Sequence, residues 1–266
     1  LLAKFFFKTP YVFEVRDLWP EIPMALGALK GRVMTGVAIK MAALAYKYAS
    51  KIVVLSSDMG EGVKKYGDYQ NKIILIPNAS DVALLRTTNR NAVVDFWQSY
   101  GIDCTKSHIV VYTGTLGRVN KVNYMVDLAK NSLVPDISFV VFGDGAEKET
   151  ILECAQQQNV LNKNFFMFPP VGKKDLVNVL GGAALSLSLV DNIPVLWGNS
   201  ANKFFDAFAA GVPVGINHGG WQASVIEQNS CGLVLNQDVV LASKQLDLFF
   251  LDTEKVNKAR ESSTFL

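Results

Sequence analysis

Short apolar runs rich in β-branched residues alternate along the chain with longer amphipathic segments. In the first part, the pattern predicts strands at 11–15, 51–56 and 72–77 and helices near 24–49 and 58–66. Nearly continuous apolar strands separated by helices are typical of a parallel sheet covered on both faces. The pattern therefore predicts an α/β fold that is doubly wound.

A second series of the same kind follows further along the chain. It predicts strands and helices, in order, at 108–114, 120–131, 138–143, 145–158, 164–168, 173–181, 184–190, 201–210, 212–217 and 232–235, and residues 239–266 are also helical in pattern.

The two series predict two Rossmann-like domains that face each other across a cleft. We expect an N-terminal domain over residues 1–79, a linker over 80–107, a second domain over 108–250 and a terminal helix over 251–266 that packs back on the first domain. The opening LLAKFFFKTPYVFEV lacks an initiator methionine and begins as if inside a domain, so we expect the N-terminal domain to be incomplete.

Composition excludes several classes of protein. The 266 residues carry a formal net charge of +2 and no long basic run, which argues against nucleic-acid binding. Cys104, Cys154, Cys231, His108 and His218 are too few and too scattered for a zinc site, and the cysteine pattern favours a reduced cytoplasmic protein. No apolar run approaches the roughly 20 residues of a membrane span, so a soluble or peripheral protein is expected.

The segment SANKFFDAFAAGVPVGINHGG (200–220) combines a helix pattern with an unusual charge. Ser200 is a suitable N-cap, and Lys203 lies in the first turn. A cation there opposes the helix dipole unless an anion lies in front of it, which favours a bound phosphate. The alternative is a solvated lysine that forms an ion pair with Asp206 at i+3.

Loops that follow the strands of the second domain share glycines and cations. Ligands of Rossmann-like sheets bind at these strand ends, so the composition indicates a phosphorylated ligand. The loops are 113–121, 143–149, 169–175, 191–203 and 217–220.

Three of these loops also have an interpretation without a ligand. Gly143 and Gly145 could form an ordinary turn between a strand and a helix, and Arg118 and Lys121 could be solvated charges. His218, beside two glycines, is more typical of a turn than of a general base.

Two features of the first domain also suggest a function. The loop VRDLWPEI (15–22) places Arg16, Asp17 and Glu21 after a strand, although Trp19 could simply plug a fixed loop. Residues 24–51 carry five cations and no acidic residue, which is typical either of a helix on an anionic membrane or of a core helix with a basic solvent face.

In this order, the motifs resemble the retaining glycosyltransferases of the GT-B fold. VVLSSDMGEGVKKYG and IPNASDV resemble the end of that family's N-terminal domain and its linker. VVYTGTLGRVNKVNYMVDLA, FVVFGDGAEKETI and the 200–220 segment resemble its donor-binding domain. VRDLWPE and SANK are similar to a branch that includes L-fucosamine and colanic-acid transferases.

The resemblance implies roles for individual residues. DAFAAGVP places Asp206 at the family's second glutamate, which holds the nucleotide ribose, while Gly198 replaces the first glutamate. Thr115 stands at the family's diphosphate-binding arginine, so Arg118 and Lys121 would be substitutes. The implied catalytic residues are Lys203, Arg118 and Lys121; the implied donor-binding residues are Asp206, Ser200, Asn202, Gly114, Thr115, Gly143, Gly145, Pro170 and Val171; and the implied acceptor-side residues are Arg16, Asp17 and Glu21.

The implied reaction is transfer of a hexosyl or N-acetylhexosaminyl group, with retention, from a UDP-linked donor. The implied acceptor is a lipid-linked sugar or polysaccharide in O-antigen or capsule synthesis, with no metal or other cofactor and with peripheral contact to an anionic membrane. A sugar-nucleotide epimerase and a degenerate subunit that binds the donor without transfer are the alternatives, and Gly198 favours the latter.

Overall fold

A computed structural model describes residues 2–86 and 89–266, with side chains from residue 4 onward in those ranges. Residues 87 and 88 of the expected linker lie outside the described residues, as does residue 1. Contacts divide the chain into two compact units: the first reaches Asn78 and includes Ile193–Ser200, and the second comprises Ala79–Asn192 and Ala201–Leu266. The inclusion of residues 193–200 in the first unit was not anticipated from the sequence.

The first unit is built around a parallel sheet of three described strands in the order β1-β2-β3. The buried side chains of Tyr46, Ile52 and Met59 contribute to its core. Its elements are α1 (Leu2–Phe7), β1 (Val12–Val15), α2 (Glu21–Ala25), α3 (Arg32–Tyr48), β2 (Lys51–Val54), α4 (Ser57–Lys64), β3 (Ile73–Leu75) and a 3-10 helix at Pro194–Gly198.

The single helix predicted near 24–49 is wrong, because the structure has two helices there, α2 and α3. Gly27 and Gly31 separate them, with φ angles of 69° and 89°. Residues in this left-handed region interrupt a helix, and glycine occupies it without steric cost. The apolar periodicity continued across both glycines and concealed the break.

The second unit contains a parallel sheet of six described strands in the order β6-β5-β4-β7-β8-β9. Relative to its first strand, this is the 3-2-1-4-5-6 order of a doubly wound Rossmann sheet, with the switch point between β4 and β7. Its elements are α5 (Val82–Leu85), α6 (Arg90–Ser99), β4 (His108–Thr115), a 3-10 helix (Arg118–Asn120), α7 (Asn123–Asn131), β5 (Ile137–Asp144), α8 (Lys148–Gln157), β6 (Phe165–Phe168), α9 (Lys173–Gly182), β7 (Leu185–Ser188), α10 (Asn202–Ala209), β8 (Val214–Ile216), α11 (Trp221–Asn229), β9 (Gly232–Val234), α12 (Val239–Leu251) and α13 (Thr253–Phe265).

Both faces of this sheet are covered, and each has its own apolar core. Residues 80–107 form part of the second unit rather than a separate linker: α6 packs on α9, and Trp97 is fully buried. Helix α13 packs on α10, α12 and β9 of the same unit. The sequence pattern did not predict helix α11, because the double glycine of NHGG, just before it, is typical of a turn.

No helix in the described part of the chain is long and apolar enough to cross a membrane.

Candidate functional site

A cavity of about 450 Å³ opens in the second unit where β4 ends and α10 begins. The end of β4 borders the switch point of the sheet, which is where Rossmann-like folds bind ligands. The structure thus brings several predicted residues together. The cavity is lined by Thr113, Gly114, Thr115, Asn120, Phe142, Pro170, Val171, Leu176, Asn202, Lys203 and Asp206.

Lys203 carries the positive charge of this cavity. Its Nζ lies 3.7 Å from the centroid of the Tyr112 ring, so the aromatic face stabilises the ammonium. Burial nevertheless lowers the pKa of Lys203 to about 7, because the charged form loses solvation. The tyrosine ring therefore positions the lysine, but it does not fully replace the solvation that the charged form loses.

Gly114 provides the space that this ammonium occupies. Its φ is 132°, a conformation that side chains rarely adopt, and a Cβ added there would lie 3.2 Å from Lys203 Nζ. The glycine at the end of β4 thus allows the lysine to approach the backbone.

Lys203 and Asp206 do not form the ion pair that was the alternative reading of this helix. No carboxylate among the described residues forms an ion pair with Lys203. Asp206 instead accepts a hydrogen bond at Oδ1 from the Ser80 hydroxyl. The ammonium therefore remains available to an anionic ligand.

The prediction that Ser200 caps α10 is wrong. The N-cap is Ala201, with no capping hydrogen bond from its side chain, and the Ser200 Oγ is buried without a hydrogen-bond partner among the described residues. Ser200 belongs to the first unit, where its carbonyl accepts a hydrogen bond from Asn78. The side chain of Ser200 is therefore not part of the lining of the cavity.

Two side chains fix the loop beside Lys203. The Tyr112 hydroxyl and the Asn120 Nδ2 each donate to the Thr115 carbonyl at 2.8 Å. Sequence reasoning did not select Tyr112, Asn120 or Ser80 as site residues. Of these three residues, Asn120 is the one that the sequence could have indicated, because it lies in the GRVNK loop that follows a strand.

Arg118 and Lys121 lie outside the lining of this cavity. Arg118 is exposed on the short 3-10 helix. Lys121 has a left-handed φ of 47° and pairs with Asp191 at 3.5 Å. Neither cation therefore lines the cavity around Lys203 in this structure.

Gly143 and Gly145 are required by the fold itself. A Cβ on Gly143 would lie 2.2 Å from the Gly114 carbonyl, and one on Gly145 would lie 2.5 Å from the Leu116 carbonyl. Neither glycine lines the cavity. The close approach of β4 and β5 explains this Gly-Asp-Gly turn without a ligand.

The predicted acceptor-side residues are divided in the first unit. Arg16 and Asp17 line a mainly apolar cavity of about 230 Å³ together with Trp19 and Tyr46. Burial raises the pKa of Asp17, an effect that the charge of Arg16 partly opposes. Glu21 is not among the residues that line this cavity.

The Glu21 carboxylate is partly buried against a tyrosine. Its Oε1 accepts a hydrogen bond of 2.5 Å from the Tyr66 hydroxyl, while Oε2 is buried without a hydrogen-bond partner. Burial and the nearby Glu21 carboxylate raise the pKa of Tyr46 to about 12. Glu21 therefore contacts Tyr66 and lies near Tyr46, two tyrosines of the core of the first unit.

Gly198 fits tightly at the position where the resemblance implies a glutamate. Its carbonyl accepts a hydrogen bond of 2.6 Å from Ser56, and an added Cβ would lie 3.2 Å from the Asp58 Cβ. A side chain at this position would require Asp58 to shift by a few tenths of an ångström.

The described residues contain no group of three or more histidine, cysteine or acidic side chains that could hold a metal ion.

A family model for glycosyl transferases group 1 matches residues 102–264, more than half of the 266 residues. The chain belongs to the group 1 glycosyltransferases. The matched region contains all of the residues that line the cavity around Lys203. No significant match to a curated protein was found.

Solved structures of glycosyltransferases share the fold of almost the whole chain. Alr3699/HepE from Anabaena, in complex with UDP and glucose, has a TM-score of 0.81 and 15% identity over 98% of this chain and 68% of its own. Sucrose-phosphate synthase from Thermosynechococcus elongatus has a TM-score of 0.78 and 15% identity, over 100% of this chain and 65% of its own. WaaG, a glycosyltransferase involved in lipopolysaccharide biosynthesis, has a TM-score of 0.71 and 16% identity, over 96% and 70%. These similarities confirm the predicted GT-B fold.

Proposed function

We propose that this protein transfers a sugar from a nucleotide donor, with UDP as the nucleotide. The observation that carries the proposal is the ammonium of Lys203, which lines a cavity at the carboxyl end of β4 and has no acidic partner among the described residues. A diphosphate is the ligand that such a cation beside a helix N-terminus favours. Alr3699/HepE, crystallised with UDP, supports this choice of nucleotide.

In this proposal, the diphosphate contacts Lys203 and the first turn of α10, and Asp206 accepts hydrogen bonds from the ribose hydroxyls. Cleavage of the bond between the anomeric carbon and the phosphate oxygen leaves the electron pair on that oxygen, so the β-phosphate of the departing UDP gains one negative charge. Lys203 and the helix dipole stabilise that charge as it develops, which lowers the barrier to transfer. Retention of configuration at the anomeric carbon is part of the proposal and is supported by the motifs that resemble retaining enzymes.

The acceptor in this proposal is a lipid-linked sugar or a polysaccharide. The first-unit cavity is lined by the charged residues Glu14, Arg16 and Asp17 and by mainly apolar side chains, a combination that suits an acceptor with polar and apolar parts. The similarity in fold to WaaG, which acts in lipopolysaccharide biosynthesis, supports a role in surface polysaccharide synthesis.

We also propose that α3 contacts an anionic membrane. The side chains of Val33, Met34, Val37 and Met41 on this helix are more than half exposed. Cations lie on or beside the same helix, and residues 24–51 contain no acidic residue. An apolar face flanked by cations is what an anionic lipid surface attracts.

A donor panel tests the proposed reaction. The protein is incubated with UDP-sugars and with candidate lipid-linked or saccharide acceptors, and the products are resolved by mass spectrometry and NMR of the anomeric centre. Transfer with retention supports the proposal. An altered free UDP-sugar would indicate an epimerase, and tight UDP binding without turnover would indicate a degenerate binding subunit, as Gly198 suggests.

A further inference from the structure

A second cluster of cations lies at the opposite end of the six-stranded sheet. Arg90, the first residue of α6, and Arg260 on α13 both line two cavities of about 210 and 200 Å³, and these cavities also share Gly181. The second cavity is bordered by His108, where β4 begins, whereas the cavity around Lys203 lies where β4 ends. Seven steps of about 3.3 Å along the strand separate His108 from Thr115, so the two ends lie about 23 Å apart.

The two guanidinium groups are fixed by backbone carbonyls at the C-terminal end of α9. Arg90 Nη1 donates to the Gly181 carbonyl at 3.1 Å, and Arg260 Nη2 donates to the Ala183 carbonyl at 2.7 Å. These contacts satisfy carbonyls at the C-terminus of α9, which is an ordinary structural role for arginine. Each contact uses one of the five N–H donors of a guanidinium group.

No acidic side chain within the described ranges forms an ion pair with either arginine. Burial lowers the pKa of Arg260, and the charge of Arg90 lowers it further, so the two cations repel each other. The contacts at the end of α9 explain one N–H group of Arg90 and one of Arg260. They do not explain why two cations line the same open cavities. The hydroxyl of Ser107 lines the second cavity and adds a neutral donor, whereas the hydroxyl of Thr105, which also lines it, donates to Asp103 at 2.6 Å.

We propose that the Arg90–Arg260 pair forms a second anion site, specific for a compact oxyanion of the phosphate or diphosphate class. Guanidinium groups match phosphate oxygens in geometry and charge, and an anion between them would remove their mutual repulsion. The site shares no residue with the cavity around Lys203. It therefore stands independently of the proposed transfer reaction.

Calorimetric titration with inorganic pyrophosphate at low ionic strength tests this site. The titration uses Lys203→Met protein, which lacks the charge of the other cavity. We expect Arg90→Gln with Arg260→Gln to weaken pyrophosphate binding by at least about tenfold. The double lysine variant, Arg90→Lys with Arg260→Lys, should bind with an affinity between those of its parent and the double glutamine variant, because it keeps the charge but loses the paired donors of the guanidinium groups. Arg86→Gln is the matched control, because Arg86 contacts the Thr264 carbonyl and lines neither cavity.

Two outcomes would overturn the second site. One is that Lys203→Met protein does not bind pyrophosphate at millimolar concentration. The other is that the double glutamine variant binds it as tightly as its parent does, which would leave the arginines as caps of α9 alone. If the double variant fails to fold, as judged by circular dichroism, each single glutamine variant is titrated, and a loss of about threefold or more is expected.

Discussion

The ammonium of Lys203 lies 3.7 Å from the centroid of the Tyr112 ring, and the hydroxyl of that ring is anchored to the Thr115 carbonyl. The ring takes the place that a carboxylate would occupy in an ordinary ion pair. It holds the cation without neutralising it. Because the charge is not cancelled, an incoming diphosphate meets a lysine that is already positioned.

Removal of the Lys203 charge should weaken diphosphate binding selectively. We expect Lys203→Ala to reduce UDP affinity by about 1.5–3 kcal/mol, the contribution of one charge-assisted hydrogen bond, and to leave uridine affinity nearly unchanged. Calorimetric titration with both ligands measures the difference. Lys163→Ala is the matched control, since Lys163 is exposed and contacts Asn159. Equal UDP affinity in the parent and in Lys203→Ala would contradict the phosphate role of this lysine.

UDP binding should also depend on pH through Lys203, whose pKa is about 7. Below that pH the ammonium is already charged, whereas above it binding must take up a proton. The affinity should therefore fall as pH rises from 7.5 to 9, by at most about tenfold per pH unit. The terminal phosphate of UDP does not interfere there, because its second pKa is about 6.

Titrations in buffers of different ionisation enthalpy measure this proton uptake directly. Lys203→Met protein should bind UDP weakly and with little change over the same range. A pH dependence that persists in this variant would assign the effect to another group.

Asp206 should affect both ligands alike. Asp206→Ala removes the carboxylate proposed to hold the ribose, which UDP and uridine share, so both should bind more weakly by about 1.5–3 kcal/mol. Asp144→Ala is the control, because Asp144 is exposed and pairs with Lys148 outside the cavity. Loss of UDP binding with uridine binding intact would place Asp206 at the phosphates instead.

Phe208 should be important for stability. Its ring is 6% exposed and packs edge to face against Phe204, with centroids 4.8 Å apart. Phe208→Ala should lower the free energy of unfolding of the second unit by about 3–5 kcal/mol, because it leaves a cavity in the core. Denaturant unfolding of this variant is compared with that of Lys203→Ala, which should differ from the parent by less than about 1 kcal/mol. Similar losses in the two variants would argue against separate core and ligand faces on α10.

The proposed membrane contact should depend on charge and on the apolar face of α3. The protein should co-sediment with anionic vesicles more than with neutral vesicles, and high salt should release it. Val33→Ser with Val37→Ser should reduce this binding. Leu133→Ser is the control, since Leu133 is an exposed apolar residue of the second unit. Equal sedimentation on both vesicle types would contradict the proposal.

The sequence predicted the order of most strands and helices because the apolar periodicity is strong in the second unit. It did not predict the break at Gly27 and Gly31, since backbone conformation at glycine leaves no mark on hydrophobic spacing. Lys203 and Asp206 were selected correctly as neighbours of one cavity, because both lie on one side of α10. Their partners could not be predicted.

Those partners depend on contacts made across the fold. Tyr112 reaches Lys203 from β4, and Ser80 reaches Asp206 across 126 positions of sequence. The separation of Lys121 from the cavity likewise follows from its left-handed φ and its pairing with Asp191, neither of which a spacing rule contains.

The β4–β5 ladder continues to the pairs Gly114↔Gly143 and Thr115↔Asp144, so one wall of the cavity around Lys203 is set by backbone register. This wall stays the same as long as the two strands remain paired in this register. A side chain is disfavoured at Gly114 by its positive φ and at Gly143 by the Gly114 carbonyl, 2.2 Å from an added Cβ. Changes in the chemistry of the cavity are therefore easier to make on the α10 side, where Asn202, Lys203 and Asp206 line it.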